Sequence, residues 1–192
     1  MTGDETWIPF FLNETKEKTK EWRKKGESPP VKVKPNRFSK KVMVTVFWDK
    51  DGVLLLEFHS SSITSSTYKS TLIKLYHEMI HLRPKKKRVL LLHDNATPHK
   101  SKSIQDLIKK LKWRELDHPP YSPDLALSDY YLFFPMKNYL RGINYPNQEE
   151  IEFALRDWIN KRDGEFFRKG IYDLPRRWRL CSEKKGDYFE KK

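Results

Sequence analysis

Three aspartates in this chain, Asp4, Asp94 and Asp129, stand in contexts that suit a hard cation. Asp94 directly follows the apolar run Val89–Leu92. Asp129 opens a helical stretch just after a proline-set turn. Asp4 lies at or in the first apolar strand. In open α/β sheets, ligands gather beyond the carboxyl ends of strands. Carboxylates from three separate elements can meet only through the fold. Their meeting would give an oxygen-rich site for Mg²⁺ or Mn²⁺. Two such ions about 3.5–4 Å apart would activate a water or a 3′-hydroxyl and stabilise the leaving oxygen of a phosphodiester.

Spacing alone does not single out these three. Asp49 and Asp51 resemble a metal pair, but they flank an Asp-Gly hairpin signal that explains both. Asp124 sits in the proline turn and reads as a backbone organiser. Glu5 neighbours Asp4, yet on a strand it should point to the opposite face. Asp129 reads equally well as a helix-start acid that favours the macrodipole. His77 and His81 stand four apart on an expected helix, but no third zinc ligand is evident, so they read as surface residues. Cys181 is the single cysteine and reads as a packing residue.

The composition narrows the partner. The 192 residues carry a net charge of +13, which points to a polyanion, nucleic acid before membrane. No apolar run approaches the ~20 residues of a membrane span. One cysteine excludes an internal disulfide framework and suits a reducing compartment. No nucleotide-binding glycine motif appears, and no small-molecule substrate is implied.

The elements that must position the acids read as follows. TWIPFFL (6–12) is a strand. Residues 13–41 are a long basic arm with three prolines, too long for an ordinary connection. Residues 41–48 and 53–58 form a hairpin. Residues 67–82 have helical spacing. VLLLH (89–93) suits a buried strand covered on both faces. A helix over 100–112, a strand over 113–117, the turn 118–125, and helices over 128–141, 147–162 and 164–182 follow. The expected class is α/β, a mixed sheet with helices on its faces.

Several local sequences, read together, resemble the mariner family of transposases. These are TGDETW (2–7), PNRF (35–38), KKVMVTVFWD (40–49), HDNATPH (93–99) and HPPYSPDLALSDY (118–130). The chain is also similar to the transposase half of a SET-domain–mariner fusion protein, which carries Asn at the third acid position. The resemblance covers nearly the whole chain as a single catalytic domain, 1–192. It implies an RNase H-like, five-stranded mixed sheet flanked by helices, with the basic arm at 13–41 as a clamp-like insertion after the first strand.

The resemblance also implies roles. Asp4, Asp94 and Asp129 would be the catalytic triad, holding two Mg²⁺ or Mn²⁺ ions. The interval from Asp94 to Asp129 contains 34 residues, as in the family's 34D subgroup. Trp22, Arg23, Lys24, Lys25, Arg37 and Lys40 would contact DNA. Tyr121, Ser122, Pro123, Asp124 and Leu125 would form a turn at the dimer and DNA end. The implied partners are transposon ends, target DNA and a second copy of the chain, in the nucleus. The family's helix-turn-helix recognition region is not legible before Asp4, and the first strand reads as clipped. The expectation is therefore a truncated cut-and-paste transposase. The alternative is an inactive or domesticated DNA-binding or dimerisation module.

Overall fold

The computed structural model describes residues 1–13, 40–120 and 122–184. Trp22, Arg23, Lys24, Lys25, Arg37 and Tyr121 lie outside them, as does nearly all of the expected arm.

Strand β1 spans Thr2–Pro9, β2 Lys41–Asp49 and β3 Gly52–His59. They form an antiparallel sheet in the order β1-β2-β3. The first strand thus begins earlier than its apolar residues suggest. The polar Thr2–Glu5 stretch pairs with Trp48–Thr45 of β2, so ladder hydrogen bonds, not side-chain hydropathy, fix its start. Asp4 lies inside the strand opposite Val46. The β2–β3 hairpin turns at Lys50-Asp51, and Gly52 takes φ 131°, a conformation open to glycine.

Helix α1 (Ser65–Leu82) returns along the sheet, with the Thr64 hydroxyl accepting from the Thr67 N–H. Strand β4 (Leu90–Leu91), helix α2 (Lys102–Lys110) and strand β5 (Arg114–Glu115) follow, and β4 pairs with β5 in parallel. This two-stranded sheet meets the first at a parallel bridge, Thr2 to Leu92. There the Gly3 N–H donates to the Leu92 carbonyl at 2.9 Å. The structure therefore holds two small sheets that touch, where a single five-stranded sheet was expected.

Every residue of β2 from Val42 to Asp49 is buried, as befits the central strand. Its pleat feeds two cores. Val42, Val44, Val46 and Trp48 face a layer with Leu132, Met136, Ile151, Leu155 and Phe167. Phe47 faces a second layer with Tyr68, Leu72, Leu75, Ile104 and Ile108. The first layer carries α3 (Phe133–Tyr139), α4 (Gln148–Asn160) and α5 (Gly164–Glu183). The second carries α1 and α2. The Val89–Leu92 run departs from the expected burial on both faces. Val89 and Leu91 enter the α1–α2 core, but Leu90 points the other way and is 45% exposed. Leu92, the next residue on that side, is buried in the first layer, so the second face is covered at Leu92 and exposed at Leu90.

Candidate active site

Three elements bring the acids to one end of the sheets. Asp4 is fixed by β1. Its Oδ1 accepts the Glu5 N–H at 2.8 Å. Asp94 is the third residue after β4, at the carboxyl end where the strand pattern places it. Asp129 sits in a π-helical turn, Ser128–Leu132, that leads into α3 and packs against β1. The Phe133 N–H closes that turn on the Ser128 carbonyl. Two residues later Pro135 has no N–H to give, and this favours the widened turn over a regular helix start. Ser128 in turn accepts from Trp48 Nε1 at 3.1 Å, which ties the Asp129 turn to the central strand.

The three carboxyls sense one another. Asp4 is pushed well above the ordinary carboxylate range, first by burial and then by the charges of Asp129, Glu5 and Asp94. Asp129 is raised too, by loss of hydration and by Asp94, against the opposing charge of Lys137. A plain helix-start acid would be lowered by the macrodipole, so Asp129 behaves as a member of an acidic group. Lys137 is lowered by burial, with Asp129 and Asp4 pulling the other way. It is the local counter-charge.

Asp94 differs. Burial would raise it, but the His99 ring and the Ala96 N–H outweigh that, and its carboxyl lies below its usual value. His99 Nδ1 stands 2.7 Å from Asp94 Oδ1, and His99 Nε2 stands 3.3 Å from Glu5 Oε2. Burial would lower the imidazole. Its two acidic partners override this and hold it up at about 9. His99 packs on Tyr68 with ring centroids 3.9 Å apart. The Tyr68 hydroxyl meets His93 Nδ1 at 2.7 Å, and His93 Nε2 meets Glu115 at 3.1 Å. Burial, then the charge of His99, pushes His93 down to about 4, so it stays neutral beside a charged neighbour.

Sequence reasoning missed His99 and underrated Glu5. Glu5 does point to the other face from Asp4, as strand alternation requires. It still reaches the site, because His99 bridges it to Asp94. The only sequence signal was the place of His99 at the end of the HDNATPH stretch.

A groove of about 380 Å³ opens over Asp94 and Asp129, walled by Asn95, His118, Pro119 and Pro120. His118 Nδ1 is buried there without a partner among the described residues. Of the expected turn, Ser122 bonds the Pro120 carbonyl, Leu125 is buried, and the Asp124 carbonyl accepts from Arg177 at 3.0 Å. Pro123–Leu125 form a single 3₁₀ turn. Lys40 is exposed beside β2. Asp49 is held by Arg83 and Lys86 and accepts the Asp51 N–H, so it serves the hairpin. His77 and His81 are exposed on α1.

Among the described residues, no three acidic, histidine or cysteine side chains stand close enough to hold an ion as they are. The set nonetheless fits a hard divalent cation in kind. Its oxygens repel one another, and one of them resists ionising without a counter-charge.

Known proteins resolve which family this chain belongs to. A profile described as Transposase (partial DDE domain) matches residues 12–89. The Mariner Mos1 transposase of Drosophila mauritiana is 36% identical over 196 residues, covering 99% of this chain and 56% of that protein. The crystal structure of the catalytic domain of Mos1 mariner transposase superposes with a TM-score of 0.80 at 34% identity. That match covers 98% of this chain and 83% of that domain. The chain belongs to the mariner family of transposases. The mariner relationship extends to Histone-lysine N-methyltransferase SETMAR of Homo sapiens, 32% identical over 99% of this chain but only 28% of that protein. It extends also to the Mos1 mariner paired end complex with Mn, with a TM-score of 0.93, 38% identity, and coverage of 98% of this chain and 56% of that one. This mariner chain thus spans about half the length of the Mos1 protein. Among the described residues, no helix is long and apolar enough to cross a membrane.

Proposed function

We propose that this chain is a metal-dependent DNA-cleaving and strand-transfer domain of the cut-and-paste kind, acting in the nucleus on transposon ends and target DNA as a homodimer. The observation that carries the reading is the placement of Asp4, Asp94 and Asp129, drawn from three elements onto one end of the sheets, with a groove open over Asp94 and Asp129. We read the two touching sheets as one RNase H-like layer, in the order β3-β2-β1-β4-β5.

Asp4, Asp94 and Asp129 would hold two Mg²⁺ or Mn²⁺ ions. When bound, such ions make the phosphorus more electrophilic and lower the pKa of a bound water or 3′-hydroxyl. The chain supplies the rest. Strand β1 fixes Asp4 rigidly. The imidazolium of His99 orients Asp94. The Ser128–Trp48 bond steadies the Asp129 turn. The groove beside His118 admits a strand next to Asp94 and Asp129. The basic excess holds phosphates, so affinity should fall steeply with salt. The arm residues Trp22, Arg23, Lys24, Lys25 and Arg37, with Lys40, would add backbone contacts, and the 121–125 turn would serve the dimer and the DNA end.

One observation favours a second reading, DNA binding or dimerisation without turnover. Asp94 is committed to His99, and the acids are not yet gathered around an ion-sized space. Plasmid nicking separates the two. With Mn²⁺, the chain should nick supercoiled DNA and Asp94→Ala should not. Equal nicking by both would remove the enzymatic reading. A gel shift without nicking by either would favour the binding module.

A further inference from the structure

The sheets have a second end, and it is as basic as the first is acidic. Pro84–Arg88 links α1 to β4, and all five residues are exposed. Lys85, Lys87 and Arg88 make no ion pair among the described residues. Arg83 and Lys86 are taken up by Asp49. Helix α2 ends against this run, and Lys109, Lys110 and Lys112 are exposed there. Arg83, Lys86, Lys87 and Lys112 line one groove, of about 270 Å³. The two strings of cations are far apart in sequence. The Arg114 N–H bond to the Val89 carbonyl, at 2.9 Å, brings them side by side.

Helix ends attract cations for a simple reason: Lys109 and Lys110 complement the macrodipole in the last turn of α2. The macrodipole does not account for the conformation of Lys112. It sits at φ 56°, and it is the sole non-glycine with positive φ among the described residues. Its N–H donates to the Lys109 carbonyl, and the next N–H, of Trp113, to the Ile108 carbonyl. That pair of bonds defines a Schellman-like ending, whose left-handed position is usually glycine. A lysine there carries backbone strain that glycine would relieve. Strain kept at a surface position points to a use for the side chain.

The geometry points to a second nucleic-acid contact face, formed by Lys85, Lys87, Arg88 and Lys112, that binds a phosphate backbone away from the acidic groove. Arg88 precedes Asp94 by six residues of largely extended chain, about 20 Å. Backbone held here is therefore remote from the bond presented at Asp94. The face fits phosphate, since the side chains it presents are lysine and arginine ends, which position a backbone and do not read its sequence. This inference rests on the proposal that the chain handles DNA, but not on its cleaving DNA.

The test uses the 192-residue chain, a short duplex of arbitrary sequence, and EDTA, so that metal plays no part. Fluorescence anisotropy is read across a salt series. The Lys85→Ala/Lys87→Ala/Arg88→Ala/Lys112→Gly variant should bind about 10-fold or more weakly at low salt, with the log–log salt slope shallower by roughly one for each phosphate no longer neutralised. Lys112→Gly alone should raise Tm by about 2–4 °C and still weaken binding. A merely structural lysine would give the first effect without the second. Wild-type affinity and slope in the fourfold variant would overturn the face while leaving the cleavage reading intact. Loss of nuclear accumulation with unchanged DNA affinity would overturn it in favour of an acidic import receptor. Failure of the wild-type chain to bind duplex at all would overturn both this face and the DNA reading.

Discussion

His99 donates to Asp94 across 2.7 Å and, through its other ring nitrogen, to Glu5 across 3.3 Å. One buried imidazolium thereby ties the end of β4 to the second face of β1. The pair also sets a pH dependence. The folded imidazole titrates at about 9, above its ordinary 6.5. Its stabilising contribution is thus full below pH 6.5 and is lost as pH rises through 9. The size is on the order of 2–3 kcal/mol. Wild-type Tm should fall between about pH 6.5 and 9.5 by more than that of His99→Ala. Parallel Tm curves for the two proteins would remove the charged role of His99.

Asp4 predicts an opposition between stability and metal binding. Its carboxyl is raised by burial and by three neighbouring acids, so its ionised form destabilises the apo fold. Asp4→Asn should raise the metal-free Tm at neutral pH by about 2–4 °C for each kcal/mol of repulsion relieved. The same variant should lose the Tm increase that Mn²⁺ gives the wild type. In the wild type, Mn²⁺ must displace a proton held above the usual carboxylate range. Its apparent affinity should therefore rise with pH through that range, with measurable proton release. A flat affinity in calorimetry over about pH 5–8 would count against Asp4 as a ligand.

Ser128→Ala tests how the Asp129 turn is held. The substitution strands the buried Trp48 N–H, whose only acceptor is the Ser128 hydroxyl among the described residues. The expected cost is about 1–3 kcal/mol, read by urea unfolding. Nicking by the folded variant should drop further than stability explains, because the turn carrying Asp129 loses its anchor. Activity equal to wild type at a temperature where both are folded would show that α3 alone positions the turn.

Gly3→Ala probes the strand entrance. A Cβ at residue 3 would meet Phe47 Cε1 at 2.0 Å, and Phe47 is fully buried in the α1–α2 core. The ring cannot move aside without disturbing that core. The expected loss is about 3 kcal/mol or more, with weakened Mn²⁺ binding because Asp4 is the next residue. A Tm within about 2 °C of wild type would mean that β1 shifts its register to accommodate the methyl group.

Local chemistry along the chain dictates the hairpin around Lys50-Asp51, the faces of α1 and α2, the three candidate acids and the polyanion-seeking charge. Each rests on neighbours in sequence or on composition: an Asp-Gly turn, an apolar period, a motif, a sum of charges. Local chemistry could not place the start of β1, because Thr2–Glu5 is polar and becomes strand only through pairing with β2. It could not separate Asp129 from a helix-start acid, because that distinction depends on how close Asp94 lies. Strand alternation turns Glu5 away from Asp4, but that rule describes one strand and says nothing of a histidine arriving from beyond β4. Packing alone joins Glu5 to Asp94 through His99 and carries Lys112 to the cations of the α1–β4 link. Such contacts join residues distant in the chain, and they form only when the two helix layers close on the sheets.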